Sequence, residues 1–203
     1  MTVEAYIINN DASELIPMGD INEAYSYKMS KPETVLIGER GGAKCQGFDY
    51  GNYPSAIKNV NFSGKTVIHT TSAGTQGIIN AHNATEIITG SFVNAKAIVK
   101  YIKKRNPDEV SLVCMGLEGK KTTTEDRFCA EYIKSLLEDE PIKMSTIINE
   151  CKKTDGAKFF KPKNNLIFPT EDFWLCLEAN VFDFVLSVEK GDDGLFRTIR
   201  KDV

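Results

Sequence analysis

Lys65-Thr66-Val67-Ile68-His69-Thr70-Thr71-Ser72-Ala73-Gly74-Thr75-Gln76-Gly77-Ile78-Ile79 is the stretch that decides the fold. Residues 65–69 read as a short strand with an apolar centre at Val67 and Ile68, and a helix opens at Gly74 and runs to Ala81. A strand handed to a helix through a small, hydroxyl-rich turn is the repeating unit of an α/β protein. The same alternation recurs outward. Upstream, residues 3–10 and 21–28 carry helical spacing around a strand at 14–17, and Val35-Leu36-Ile37 is a strand ending at Gly38. Downstream, a strand at 86–89 precedes a helix over 93–105, and a strand at 110–114 precedes a helix over 125–137. Thr122 and Glu125 fit a capping box at the start of that last helix. Asp193-Gly194 between residues 184–188 and 195–199 signals a hairpin. Residues 152–163, rich in lysine, read as an exposed loop or excursion. The pattern predicts one α/β domain over residues 1–203: a layered sandwich whose mixed, largely parallel sheet is flanked by helices.

Bulk properties narrow the function. The chain has 203 residues, 41% of them hydrophobic, and a net charge of -3. A near-neutral chain without a basic stripe is not a nucleic-acid binder. No apolar run is long enough to span a membrane, and the first residues do not read as a signal peptide. The five cysteines are odd in number and form no C-x-x-C pair. They read as free thiols in a cytoplasmic protein. Cys114 and Cys129 read as packing residues, His69 as a strand or core residue, and His82 as exposed.

The polar residues gather at the ends of predicted strands, where an open α/β sheet binds ligands. Glu39, Asp49, Glu118 and Asp126 sit in or beside glycine-containing turns and offer hard oxygen ligands for Mg²⁺. Asp49 in an Asx-turn and Glu125 in a helix cap are the plainer alternatives. The turn containing Thr71, Gly74 and Thr75, followed by Gly90-Ser91, has the hydroxyls and amides that hold phosphate or sulfonate. Arg40 adds a planar, bidentate cation. Lys120 and Lys121 add charge, or are simply solvated. There is no Walker A loop, no dinucleotide fingerprint and no Ser-His-Asp elbow.

Taken together, Glu39-Arg40-Gly41-Gly42, Gly47-Phe48-Asp49-x-Gly51-Asn52-x-Pro54, Thr70-Thr71-x-x-Gly74-Thr75, Gly90-Ser91-x-x-Asn94-Ala95 and Gly116-x-Glu118-Gly119 with Glu125-Asp126 resemble the 2-phosphosulfolactate phosphatase family. The resemblance implies an α/β, Mg²⁺-dependent phosphatase of coenzyme M biosynthesis, acting on a small anionic phosphorylated substrate. It implies catalytic roles for Glu39, Arg40, Asp49 and Glu118. The metal would be held among Glu39, Asp49, Glu118 and Asp126. Asn52, Thr71, Gly74, Thr75, Ser91 and Asn94 would bind the substrate. The family opens with a strand bearing Asp-x-x-Arg-Ala, which aligns ahead of Met1. The chain therefore reads as an N-terminally shortened member, weak in activity and expected to form a homodimer through the uncovered edge. Ala73 and Tyr53 also depart from the family pattern. The alternative is a catalytically impaired homologue that serves as an anion-binding or assembly protein.

Overall fold

The computed structural model describes residues 1–81 and 83–203, so His82 lies outside the described residues. In chain order the elements are α1 (Thr2–Asn9), β1 (Glu14–Pro17), α2 (Ile21–Ser30), β2 (Val35–Arg40), β3 (Ala43–Lys44), α3 (Pro54–Ile57), β4 (Thr66–Thr70), α4 (Gly74–Asn80) and β5 (Ile87–Thr89). They are followed by α5 (Ala95–Arg105), α6 (Thr124–Leu137), α7 (Met144–Lys153), α8 (Thr170–Leu177), β6 (Phe184–Lys190) and β7 (Phe196–Asp202). The α/β reading holds, but the strands divide into two sheets. One is four-stranded in the order β1-β4-β2-β3, and the other is three-stranded in the order β5-β6-β7.

In the first sheet β4 runs parallel to both neighbours, with Leu15 opposite Val67 and Ile37 opposite His69. Alternate side chains of a strand face opposite ways. Leu15, Ile37 and Val67 therefore join Val3 and Ile7 of α1 in one core, while Ile16, Leu36 and Ile68 pack with Ala24 of α2 on the other side. Each such fully buried aliphatic side chain contributes about 1.5–3 kcal/mol. Gly38 stands opposite Thr70 where β2 and β4 pair. A Cβ there would lie 2.2 Å from the Thr70 carbonyl oxygen, which leaves glycine as the residue that fits.

The second sheet is antiparallel, and β6–β7 is the hairpin expected from Asp193-Gly194. β5 pairs antiparallel with β6, so the chain switches sheets after α4. Phe92, Ile98, Ile133, Ile147 and Phe173 form a third core beside this sheet, where α5 to α8 meet. Arg197 of β7 ties the two sheets together through Glu14 of β1, at 2.7 Å.

Three local expectations are corrected. Residues 110–114 form no strand. They take no regular structure and lie exposed, with Val113 at 76%. Their β-branched composition states only that they suit a pleated, half-buried surface, not that a partner strand is within reach. Cys114 is consequently exposed rather than packed. The capping box at Thr122 and Glu125 does not form either. The N-cap is Thr123, which makes no side-chain cap, and the Thr124 amide is taken by Asp155 from across the chain. Residues 152–163 are not a simple loop. They complete α7 and continue in 3-10 turns, Asp155–Phe160 and Pro162–Asn164, which set Phe159 and Phe160 against Phe173.

Candidate functional site

β1, β2 and β4 end side by side, and the residues just past their carboxyl ends line a cleft of about 360 Å³. It is bounded by Gly19, Arg40, Gly41, Thr71, Ser72, Gln76, Glu118 and Lys120. This is the edge at which parallel α/β sheets bind ligands. A second cleft of about 440 Å³ shares Gly19, Arg40 and Gln76 and continues past Asp20, Ile21, Glu23 and Ile79. Arg40 therefore stands between the two.

Arg40 is locked in place. Its Nη1 donates to the Glu39 carbonyl at 2.7 Å, and its Nη2 donates to the Gly19 carbonyl at 3.1 Å and Thr70 Oγ1 at 2.8 Å. A guanidinium with several donors in a fixed plane can hold such a frame and still face an oxyanion. The Glu39 carboxylate is equally constrained. Oε1 accepts the Ser72 amide at 2.7 Å, and Oε2 accepts the Gly42 amide at 2.8 Å and Ser72 Oγ at 3.1 Å. In the same turn, the Thr71 amide donates to Thr75 Oγ1 and the Thr75 amide to Thr71 Oγ1, at 3.1 and 3.2 Å. Both threonines are buried, so they stiffen the turn from inside.

Glu118 reaches the cleft from a tight turn closed by the Leu117 amide on the Lys121 carbonyl at 2.8 Å. Its φ of 55° is unusual for a residue with a side chain, and strain of this kind collects at working sites. Asp126 anchors the turn by accepting the Gly116 amide at 2.5 Å. Glu125, next to it, is held above its usual carboxylate range by burial, with Lys158 opposing the rise and Asp126 and Asp155 adding to it.

Other expected site residues lie elsewhere. Asp49 Oδ2 accepts the Leu36 amide and Lys28 Nζ, both at 2.8 Å, at the start of β2 rather than its end. Burial pushes its carboxyl up, but those two partners outweigh it and hold the group below its ordinary range. Asn52 bonds to His69 Nε2 at 3.0 Å, and His69 Nδ1 meets Glu4 Oε1 at 3.0 Å. Glu4 and His69 are both fully buried. Ser91 Oγ bonds to Asn94 at 2.9 Å, and Asn94 reaches the Phe184 carbonyl at 3.4 Å. Both are buried near the second sheet and do not line the cleft. Gly74 sits under Met1, whose sulfur would lie 2.8 Å from an added Cβ. The four carboxylates expected to share a metal are thus not gathered into one cage. Among the described residues, no group of three or more His, Cys, Asp or Glu is placed to hold an ion.

Sequence reasoning missed Gln76, whose Nε2 holds the Gly19 carbonyl at 2.8 Å. It also passed over Glu4 as a partner for His69. Gln76 could have been found, since it falls in the first turn of the helix that follows the hydroxyl-rich loop.

The structure so far defines an α/β protein with a cationic, hydroxyl-lined cleft at the carboxyl edge of a parallel sheet. The chain belongs to the 2-phosphosulpholactate phosphatase family, whose model matches residues 1–191. A protein of Caldicellulosiruptor saccharolyticus named "Probable 2-phosphosulfolactate phosphatase" is 43% identical over 135 residues. The match covers 64% of this chain and 55% of that relative, so the chain spans about half of its length. A Bacillus subtilis protein of the same name is 30% identical, over 98% of this chain and 86% of its own. One from Caldanaerobacter subterraneus subsp. tengcongensis is 32% identical, over 90% and 80%. No helix among the described residues is long and apolar enough to cross a membrane.

Proposed function

We propose that the chain hydrolyses a small phosphate monoester, with 2-phosphosulfolactate as the substrate its family membership suggests, releasing sulfolactate and phosphate. The observation that carries this reading is the cleft in which Arg40 and Lys120 face Thr71 and Ser72 at the strand ends. Arg40 would set its positive charge, and a donor not already spent on the fold, beside the phosphoryl group, and Lys120 would add a second positive charge. Such stabilisation, fixed before the substrate arrives, supplies most of the catalysis in phosphoryl transfer. Glu118 faces the cleft, whereas Glu39, Asp49 and Asp126 already accept bonds from within the fold. Mg²⁺ typically binds through one or two carboxylates, with waters and phosphate oxygens completing its shell. Glu118 fits that limited role and would hold the ion, which would supply charge neutralisation on the phosphate.

A second reading, an anion-binding protein without turnover, draws on the same scarcity of gathered carboxylates. Phosphate release from 2-phosphosulfolactate and from an aryl phosphate, with Mg²⁺ and with a chelator, separates the two. Release that depends on Mg²⁺ is expected. In Glu118→Gln the Mg²⁺ needed for half the maximal rate should rise about 10-fold or more, with the fold intact; altering even the groups that support metal ligands costs this much. Retained phosphate binding with no release would favour the second reading.

The homodimer is part of the same proposal, carried here by a surface other than the uncovered first-strand edge on which it was expected. Residues 110–114, with Leu117 nearby at 55% exposed, present an apolar, unpaired stretch. An exposed apolar stretch of this kind is covered when a second copy seats on it, most simply about a two-fold axis. Light scattering should give twice the chain mass, and Val113→Asp should return it to the monomer. A monomeric mass for the unaltered chain at high concentration would refute the association.

A further inference from the structure

We propose that Ser72 is the nucleophile of this site and Glu39 its base, an assignment that rests on the hydrolase reading above. Ser72 lies in the turn between β4 and α4 and borders the cleft together with Arg40 and Lys120. Its Oγ donates to Glu39 Oε2 at 3.1 Å. The carboxylate that receives this proton is itself held by two main-chain donors, the Ser72 amide at 2.7 Å and the Gly42 amide at 2.8 Å. A hydroxyl within hydrogen-bond reach of a base, with that base oriented by further groups, is the arrangement that covalent catalysis requires. The Gly41 amide lies 3.4 Å from Ser72 Oγ and fixes the oxygen from the other side.

The neighbouring hydroxyls do not meet this description. Thr70 Oγ1 accepts from Arg40, and the Thr71 and Thr75 hydroxyls are taken up with each other's amides. Within the turn, Ser72 alone pairs its hydroxyl with a carboxylate, and it does so at the wall of the cleft. Glu39 is thereby given a role that needs no metal, consistent with a carboxylate already holding three donors.

The chemistry balances in two steps. In the first, Ser72 Oγ attacks phosphorus as its proton passes to Glu39. The Oγ–P bond forms and the ester P–O bond breaks. The departing oxygen leaves as an alcohol, taking the proton from Glu39 by way of water. In the second, water attacks the phosphoserine and gives a proton to Glu39. The Oγ–P bond breaks, Ser72 Oγ recovers the proton, and inorganic phosphate leaves. Nothing is oxidised or reduced, and Arg40 holds the phosphoryl oxygens throughout.

The test uses the full chain with 4-nitrophenyl phosphate and Mg²⁺, quenched in acid during turnover and analysed by peptide mass spectrometry. One added phosphoryl group on Ser72 is expected. Glycerol present in excess should also divert part of the phosphoryl group to glycerol phosphate, because a covalent intermediate can be captured by an alcohol. Ser72→Ala should lose the adduct and the transfer, yet keep the unfolding temperature and the affinity for inorganic phosphate. Glu39→Gln should slow turnover by about 10²–10⁴-fold, the usual contribution of general-base catalysis. Turnover by the unaltered chain with neither adduct nor transfer, or a Ser72→Ala variant at full rate, would overturn the assignment and leave the hydrolase reading standing. Absence of both turnover and adduct with any phosphate ester would overturn both.

Discussion

Replacing His69 with alanine is expected to lower folding stability by about 3–5 kcal/mol, because it strands a buried carboxylate. Glu4 is fully buried on α1, and its partners are His69 Nδ1 at 3.0 Å and Thr89 Oγ1 at 3.4 Å. With the ring gone, the buried carboxylate loses the shorter of these two bonds and keeps the longer. A buried pair of this kind need not stabilise the fold relative to a well-packed apolar pair of similar size. Glu4→Leu combined with His69→Leu should therefore recover most of the loss. Urea unfolding of the three proteins gives the comparison. If the double variant falls as far as His69→Ala, packing around the ring, and not the stranded charge, sets the cost.

Arg40→Ala should reduce kcat/KM by about 10²–10³-fold, the range seen when one fixed donor to a developing oxyanion is removed. The guanidinium faces the cleft while it braces the Glu39 carbonyl, the Gly19 carbonyl and Thr70 Oγ1. Arg40→Lys should restore little. An ammonium is a point charge without a planar fork, and it cannot reach those three acceptors from one stem. Steady-state kinetics, with inorganic phosphate as a competing ligand, measure both variants. A lysine variant at the unaltered rate would mean that charge alone matters at this position.

Much of the fold could be read from alternation along the chain. Strands β1, β2 and β4 are short apolar runs buried on two faces, and each is followed by a change of period. The division into two sheets could not be read, because pairing partners are chosen in three dimensions. Residues 110–114 show the limit: a strand-like composition with no neighbour to pair with among the described residues. The same holds for the start of α6, where the local capping box does not form and Asp155, 31 positions away, takes the Thr124 amide. At the cleft, Arg40, Thr71 and Glu118 were legible as lining residues because they end or follow strands or occupy a glycine turn. Asn52, Asp49 and Asn94 have the right chemistry, but each is bonded to a residue 13 to 90 positions away. Spacing along a sequence carries no record of such partners.

The bond from Arg197 to Glu14 joins residues 183 positions apart. It also has a kinetic meaning. A contact of that span requires closing a loop that contains almost the whole chain, and the entropy of closure must be met before the contact returns anything. The local strand–helix units can form early. Docking of the C-terminal hairpin against β1 is thus expected late in folding, after the local units have formed.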